Sequence, residues 1–322
     1  MTKACEVCGG SSSLRVFDAK GLGEGSPAFG LRRCPDCGFG RTEPEVPDAD
    51  IGKWYPPEYY GKDNIRFNLP FEMLIRLLRR RRAWTMARQV PPGPALDVGC
   101  GRGFILHFLR KRGFEPHGVE LTENGAWHAR HFLNIDMRVG NFLDVPYPDG
   151  SFQAVVFWHS LEHMRRPLDA LRRASGILRP GGLVVVAVPN SDSLQARLFG
   201  ASWFHLDIPR HYVHFGARSL RAALESAGFR VVKTDHFCLE QNPYGWMQSL
   251  YNALGFKFNL LYSMLKNRTA RTIPIREHPV QVALCLALVP VVLPLSLALT
   301  VAEAALRRGG TMEMYAIKEG GR

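Results

Sequence analysis

The chain has 322 residues, 46% of them hydrophobic and 22% charged, with a formal net charge of +12. This composition excludes disordered, collagenous and disulfide-stapled classes, and the length accommodates one α/β domain plus a small module or insertion. The charge is concentrated: residues 65–90 hold seven arginines against one glutamate. A basic face of that kind attracts the phosphates of nucleic acid, nucleotide sugars or anionic lipid, and charge alone does not choose among them.

Residues 1–45 read as a zinc ribbon. Cys5-Glu-Val-Cys8-Gly9 and Cys34-Pro-Asp-Cys37-Gly38 are two C-x-x-C-G turns separated by 25 residues. Cys5, Cys8, Cys34 and Cys37 together make a closed four-thiolate set, which suits structural Zn2+ and leaves no open position for catalysis. An iron or redox pair is the alternative. Because Met1–Cys5 lacks a charged-then-apolar leader, the cysteines are expected to act in the cytosol, on metal rather than in disulfides.

Residues 46–90 are a connector followed by a basic amphipathic helix. Trp54, Tyr55, Tyr59 and Tyr60 either line an acceptor pocket or pack the ribbon onto its neighbour. A helix is predicted from Phe71 to Val90, with Met73, Leu74, Ile75, Leu77 and Leu78 as its apolar face. The arginines of 76–82 form either a solvated face or a contact with phosphates of an acceptor or a membrane surface.

From Pro91 the pattern changes to that of an α/β sheet. The run Ala95-Leu-Asp-Val-Gly-Cys-Gly-Arg-Gly-Phe-Ile-Leu106 reads as a buried strand, a tight glycine loop and a helix start. A second short strand ends on Glu120, 19 residues after Gly101, where a carboxylate is placed to accept both hydroxyls of a ribose. The loop is G-x-G-x-G, so it lacks the third-glycine spacing of a dinucleotide fingerprint.

On these residues the chain resembles the class I S-adenosylmethionine (SAM) dependent methyltransferases, in particular a bacterial subgroup with an N-terminal four-cysteine ribbon. Later stretches agree in order: Tyr147–Phe152 before a strand at Phe152–Trp158, then His159-Ser-Leu-Glu-His163, then Leu178–Gly182 before a strand to Asn190. The resemblance implies a Rossmann-like seven-stranded sheet in residues 91–237 and 312–322. It implies cofactor contacts from Asp97, Gly99, Gly101, Gly103, Glu120, Leu121, Asn141, Phe142 and Trp158. The chain departs from the pattern at Asn141 and Gln153, where aspartate is usual. Sugar C-methyltransferases with a zinc module carry a similar Glu-His, which implies His163 as base. His159 is a second candidate, with Glu162 orienting a ring.

Trp203–Phe215 is expected to form a lid, with His205, Arg210, His211 and His214 as candidate acceptor contacts or as a self-supporting hydrogen-bonded loop. Residues 238–311 are an apolar helical insertion before the last strand, Met312–Lys318. Val280 to Ala302 carries no charge across 23 positions, about 34 Å of helix. Because Pro290 and Pro294 interrupt it, a proline-bent hairpin dipping into one leaflet is expected; a buried subdomain and a true span are the alternatives.

The expected function is therefore methyl transfer from SAM to an oxygen or carbon of a small-molecule, saccharide or lipid-linked acceptor. The expected location is cytoplasmic, peripheral or monotopic on the inner face of the cytoplasmic membrane, with contact through 280–302 and the 76–82 arginines. An rRNA or tRNA methyltransferase is disfavoured, since Trp158-His159-Ser160 stands where base-amine methylation uses Asn/Asp-Pro-Pro-Tyr/Phe. A non-catalytic SAM-fold membrane scaffold is the remaining rival.

Overall fold

The structure is a computed structural model and describes residues 4–19, 29–47, 50, 53–54, 67–271 and 273–320. Tyr55, Tyr59 and Tyr60 lie outside the described residues. In chain order come β1 (Leu14–Asp18), β2 (Gly30–Arg33), β3 (Gly40–Glu43), α1 (Leu69–Ala87), β4 (Pro94–Val98), α2 (Phe104–Arg110) and β5 (Glu115–Glu120). Then follow α3 (Glu123–Leu133), β6 (Asp136–Val139), β7 (Phe152–Trp158), α4 (Pro167–Ile177), β8 (Leu178–Pro189), α5 (Leu194–Phe199) and β9 (Val213–His214). The last elements are α6 (Ala217–Ser226), β10 (Phe229–Asp235), α7 (Asn242–Ala253), α8 (Leu260–Leu265), α9 (Pro279–Ala305) and β11 (Thr311–Lys318).

These elements fall into two compact units, one of residues 69–188, 220–234 and 313–322, the other of 1–68, 189–219 and 235–312. The first holds a seven-stranded sheet in the order β10-β11-β8-β7-β4-β5-β6. Neighbours from β6 through β5, β4 and β7 to β8 are parallel. At its carboxyl end β11 meets the beginnings of both flanking strands: Glu319 N donates to Gly228 O, and Lys318 Nζ donates to Leu178 O. It therefore runs against both neighbours, which makes the sheet mixed. This is the Rossmann-like seven-stranded sheet expected from the sequence.

Strand addition changes direction between β4 and β7, which puts the topological switch at their carboxyl ends. Each central strand is a continuous apolar run because both faces are covered: Ala95, Leu96, Val98, Ala154, Val156, Val185 and Val186 are buried. The crossover helices have local reasons to start and stop. Thr122 caps α3 by accepting from Gly125 N at 3.2 Å, Asn134 ends it in the left-handed region, and Pro167 begins α4. β8 differs from expectation, since it begins at Leu178 and carries Gly181 and Gly182 inside it.

The second unit holds a four-stranded sheet in the order β1-β2-β3-β9. The ribbon strands are thus extended by a strand from the 203–215 segment, with Gly40 opposite His214. Thr42 Oγ1 donates to His211 O at 2.5 Å and meets His214 Nε2 at 3.0 Å, while Phe39 packs on Phe215. Trp54 sits edge-on to Phe29, so that connector aromatic packs on the ribbon.

The insertion also differs from expectation. Pro290 and Pro294 lie inside one uninterrupted helix, α9, and no hairpin forms at them. Spaced four apart, they remove two backbone bonds on a single face and leave the rest of the ladder intact.

One glycine of the loop after β4 is fixed by packing. Gly99 has φ +74°, and a Cβ on it would lie 2.7 Å from Ser160 Cβ. Gly99→Ala is expected to lower stability by about 1–3 kcal/mol in urea unfolding; an unchanged midpoint would contradict this packing.

Candidate active site

β4 ends in a buried acid and then turns sharply. Asp97 is 2% exposed, and among the described residues its Oδ1 has no hydrogen-bond partner. Burial is the main cause that pushes its carboxyl up to about 7; the Glu120 carboxylate adds to the shift and the Arg79 guanidinium opposes it. After Asp97 the backbone adopts positive φ at Gly99, Gly101 and Gly103 before α2 begins. Gly101 has open space on its Cβ side, with Glu120 Oε1 the nearest atom at 3.9 Å.

Glu120, at the end of β5, is tied to this loop. Its Oε1 accepts from Gly101 N at 2.9 Å and its Oε2 accepts from Leu121 N at 2.9 Å. Next to it, Leu121 is 65% exposed, an apolar side chain held at the rim of a polar loop.

In the turn after β6 the exposed Asn141 accepts from Leu143 N through Oδ1 at 3.0 Å, and the Phe142 ring is buried against Phe157.

β7 leads into the second polar group. His159 takes a left-handed conformation, φ +49°, uncommon for a residue with a side chain and a mark of sites where geometry is constrained. Its Nδ1 lies 3.1 Å from Glu162 Oε1. Glu162 is buried, and its Oε2 has no hydrogen-bond partner; the same holds for His159 Nε2, Ser160 Oγ and Trp158 Nε1. His163 closes the short turn through its backbone N–H to Ser160 O. Glu162 and His159 thus form a carboxylate–imidazole pair, and a ring nitrogen of His163 lies within 4.8 Å of a Glu162 carboxylate oxygen. Ser160 was not singled out from the sequence; the only signal for it is its contact with Gly99.

The arginines of α1 mostly face inward. Arg76 and Arg79 stack over Phe104, and Arg102 covers the same ring. Glu72 pairs with Arg102 and Arg76. Arg82 is buried with its guanidinium 3.6 Å from the Trp158 ring centroid. Arg80 and Arg81 are the exposed members of the run. The basic face expected at 76–82 is thus largely turned toward α2 and β7, because aromatic rings there stabilise guanidinium groups.

In the second unit, the four sulfurs of Cys5, Cys8, Cys34 and Cys37 lie within 4.8 Å of one another. The Cys5–Cys37 and Cys8–Cys34 separations are 3.6 and 3.7 Å. A zinc–sulfur tetrahedron with 2.3 Å bonds has edges of about 3.8 Å, so the cluster fits that ion. Of the 203–215 side chains, His214 bonds Thr42, His211 Nδ1 meets His205 O at 3.1 Å, and Arg210 pairs with Asp207. These contacts hold the segment together and to the ribbon.

A methyltransferase domain model matches residues 71–234, half of the chain. The chain belongs to the class I SAM-dependent methyltransferases. It is 29% identical over 140 residues to a "probable S-adenosylmethionine-dependent methyltransferase" of Mycolicibacterium smegmatis, covering 43% of this chain and 52% of that one. It is 26% identical over 234 residues to the ubiquinone biosynthesis O-methyltransferase of Bordetella avium, covering 67% of this chain and 90% of that one. An ajmaline N-methyltransferase of Rauvolfia serpentina is 28% identical over 103 residues, 30% of this chain and 35% of that one. The chain thus spans half the length of the first relative and nine-tenths of the second. A solved SAM-dependent methyltransferase from Archaeoglobus fulgidus aligns with a TM-score of 0.47 and 20% identity, over 76% of this chain and 94% of that one.

Asp97 carries a pH signature. Its carboxyl rises from 3.8 to about 7 on folding. The folded protein keeps this proton in that window while the unfolded chain has lost it, so the group makes stability decline as pH rises through it. Asp97→Asn is expected to flatten the decline of unfolding free energy between about pH 4 and pH 7; an unaltered slope would contradict the assignment.

Proposed function

We propose that this protein transfers a methyl group from SAM to an oxygen or carbon of a small-molecule acceptor. The reading is carried by one observation: a buried, unpartnered Asp97 oxygen beside a glycine loop that is itself tethered to Glu120. A buried acceptor without a donor is costly, and the cofactor's ammonium group satisfies it. Glu120, at the carboxyl end of β5 and tied to the glycine loop through Gly101 N, would accept the ribose hydroxyls. Backbone at Gly99, Gly101 and Gly103 would line the methionyl side, Leu121 would cover the adenine edge, and Trp158 would border the sulfonium. Bound there, SAM supplies an electrophilic methyl on a positive sulfur.

The remaining work is positioning and proton removal. Glu162 fixes the His159 ring through Nδ1, which leaves Nε2 as the base for an acceptor O–H or C–H. The His159 imidazole would take the acceptor's proton as the acceptor is methylated, and Glu162 would stabilise the imidazolium so formed. His163 is the neighbouring candidate, and rescue by substitution separates them.

The acceptor class is read from the rest of the chain. Two of the relatives are a ubiquinone biosynthesis O-methyltransferase and an ajmaline N-methyltransferase, names that favour small molecules over RNA. The uncharged run in α9 adds a location: an acceptor at or near the membrane, lipid-linked or saccharide. The four cysteines hold structural zinc that orders the ribbon and, through β3 and β9, the 203–215 segment. His205, Arg210, His211 and His214 belong to that segment.

Calorimetry tests the cofactor: Asp97→Ala and Glu120→Ala should each weaken SAM binding by about 100-fold with the fold retained, and unchanged affinity would refute the site. Radiolabelled SAM with a lipid extract and with total RNA tests the acceptor. Label is expected in the lipid fraction, lowered by about 100-fold or more in His159→Ala; label in RNA would overturn the class. Metal analysis should find one zinc per chain, lost in Cys34→Ser, and metal-free protein with ordered ribbon signals would refute the zinc.

A further inference from the structure

α9 inverts the arrangement of a helix on a water-soluble protein. Its buried residues are Cys285, Val292, Ser296, Thr300 and Glu303. Their spacings of seven, four, four and three put them on one stripe. Three of the five are polar, and Glu303 is fully buried, accepting from Gln195 Nε2 and Gly310 N, each at 3.1 Å. The opposite faces are apolar: Val280 and Val291 are 70% and 68% exposed, and Leu284, Leu286, Leu293, Leu295, Leu297 and Val301 are exposed with them. Polar groups turned inward and aliphatic groups turned outward are what a lipid solvent selects.

Charge around the helix indicates which apolar partner covers it. Between Leu254 and Gly310 the chain has seven lysines and arginines against two glutamates. One of those glutamates is the buried Glu303, while Lys257, Arg268, Arg276 and Arg307 are exposed. Cations flanking an apolar face suit anionic headgroups beside acyl chains and repel a second copy carrying the same charges.

Contacts along α9 fix its mode of insertion. Near its start Gln281 Oε1 accepts from Lys257 N at 2.8 Å, and Tyr251 Oη donates to Cys285 O at 3.3 Å. Near its end Gln195 holds Glu303. Thus α5, α7 and the turn after α7 flank the helix from first turn to last. α7 itself buries Asn242, Gln248 and Asn252. A crossing would draw these polar elements into hydrocarbon, at several kcal/mol for each group left unsatisfied.

We propose that α9 is an in-plane, monotopic membrane anchor whose outward face lies among the acyl chains of an anionic bilayer. This rests on the near-membrane reading above and sharpens it from proximity to a defined insertion mode. The experiment uses the full-length protein and vesicles of equal parts phosphatidylethanolamine and phosphatidylglycerol, with phosphatidylcholine vesicles for comparison. The protein should float with the anionic vesicles. Val291→Asp with Leu295→Asp should lower the bound fraction about tenfold or more while SAM binding by calorimetry stays intact. External protease should leave no protected fragment in sealed vesicles. Flotation unaffected by the two aspartates would overturn the anchor, and a protected fragment containing α9 would overturn the in-plane mode. Lipid-independent self-association dispersed by the same variant would assign the face to a second copy instead. Failure of the wild type to bind SAM while it still floats would remove the methyltransferase reading and leave the anchor standing.

Discussion

Two carboxylates that face the same glycine loop set the character of the first unit. Asp97 ends the central strand in a dry environment, and Glu120 ends its neighbour with both oxygens bonded to backbone N–H groups. Their repulsion adds to burial in raising the Asp97 carboxyl. Such a pair of acids at adjoining strand ends favours a positively charged group between them. The parallel order of β5, β4 and β7 is what brings these strand ends side by side, and the apolar runs of those strands are what make the order stable.

The second unit is built in two ways. Its ribbon is small and leans on a four-sulfur cluster and on β9. In the first unit, hydrophobic burial drives folding in the ordinary sense. The first half of α9 likewise packs Cys285 and Val292 against Met247, Tyr251, Leu260 and Leu261. At its end the interior is a hydrogen-bonded set of Gln195, Asn242, Glu303, Gly310 and Thr311, in which Asn242 Oδ1 accepts from Thr311 N and Thr311 Oγ1. Such a network keeps the end of α9 and the start of β11 in register although the segment between them is only a short turn.

Much of the fold was legible in the sequence. Strand, loop and helix around Asp97 are encoded locally by apolar runs and by glycines at positive φ. The switch-point topology then follows from the order of the later strands. What stayed hidden depends on distant residues or on a single torsion. The 3.1 Å approach of His159 Nδ1 to Glu162 goes with the left-handed backbone at His159, which no motif announces. The inward turn of Arg76, Arg79 and Arg82 depends on Phe104 and Trp158 lying where the sheet puts them. Similarly, Thr42 and His214 are 172 residues apart in the sequence. The turn that Asn141 completes with Leu143 N and the contact of Phe142 with Phe157 likewise depend on where the chain runs after β6. Composition identified α9 as apolar, but a helix apolar all round has no legible inner face until its few polar residues find partners.

The central claim is that the buried Asp97 carboxylate receives the positive group of the cofactor. Calorimetric titration of SAM in buffers of differing ionisation enthalpy measures the protons exchanged on binding. With an unliganded carboxyl at about 7, binding should release close to one proton at about pH 6 and close to none at about pH 9. Binding with no proton release at the lower pH would contradict the account.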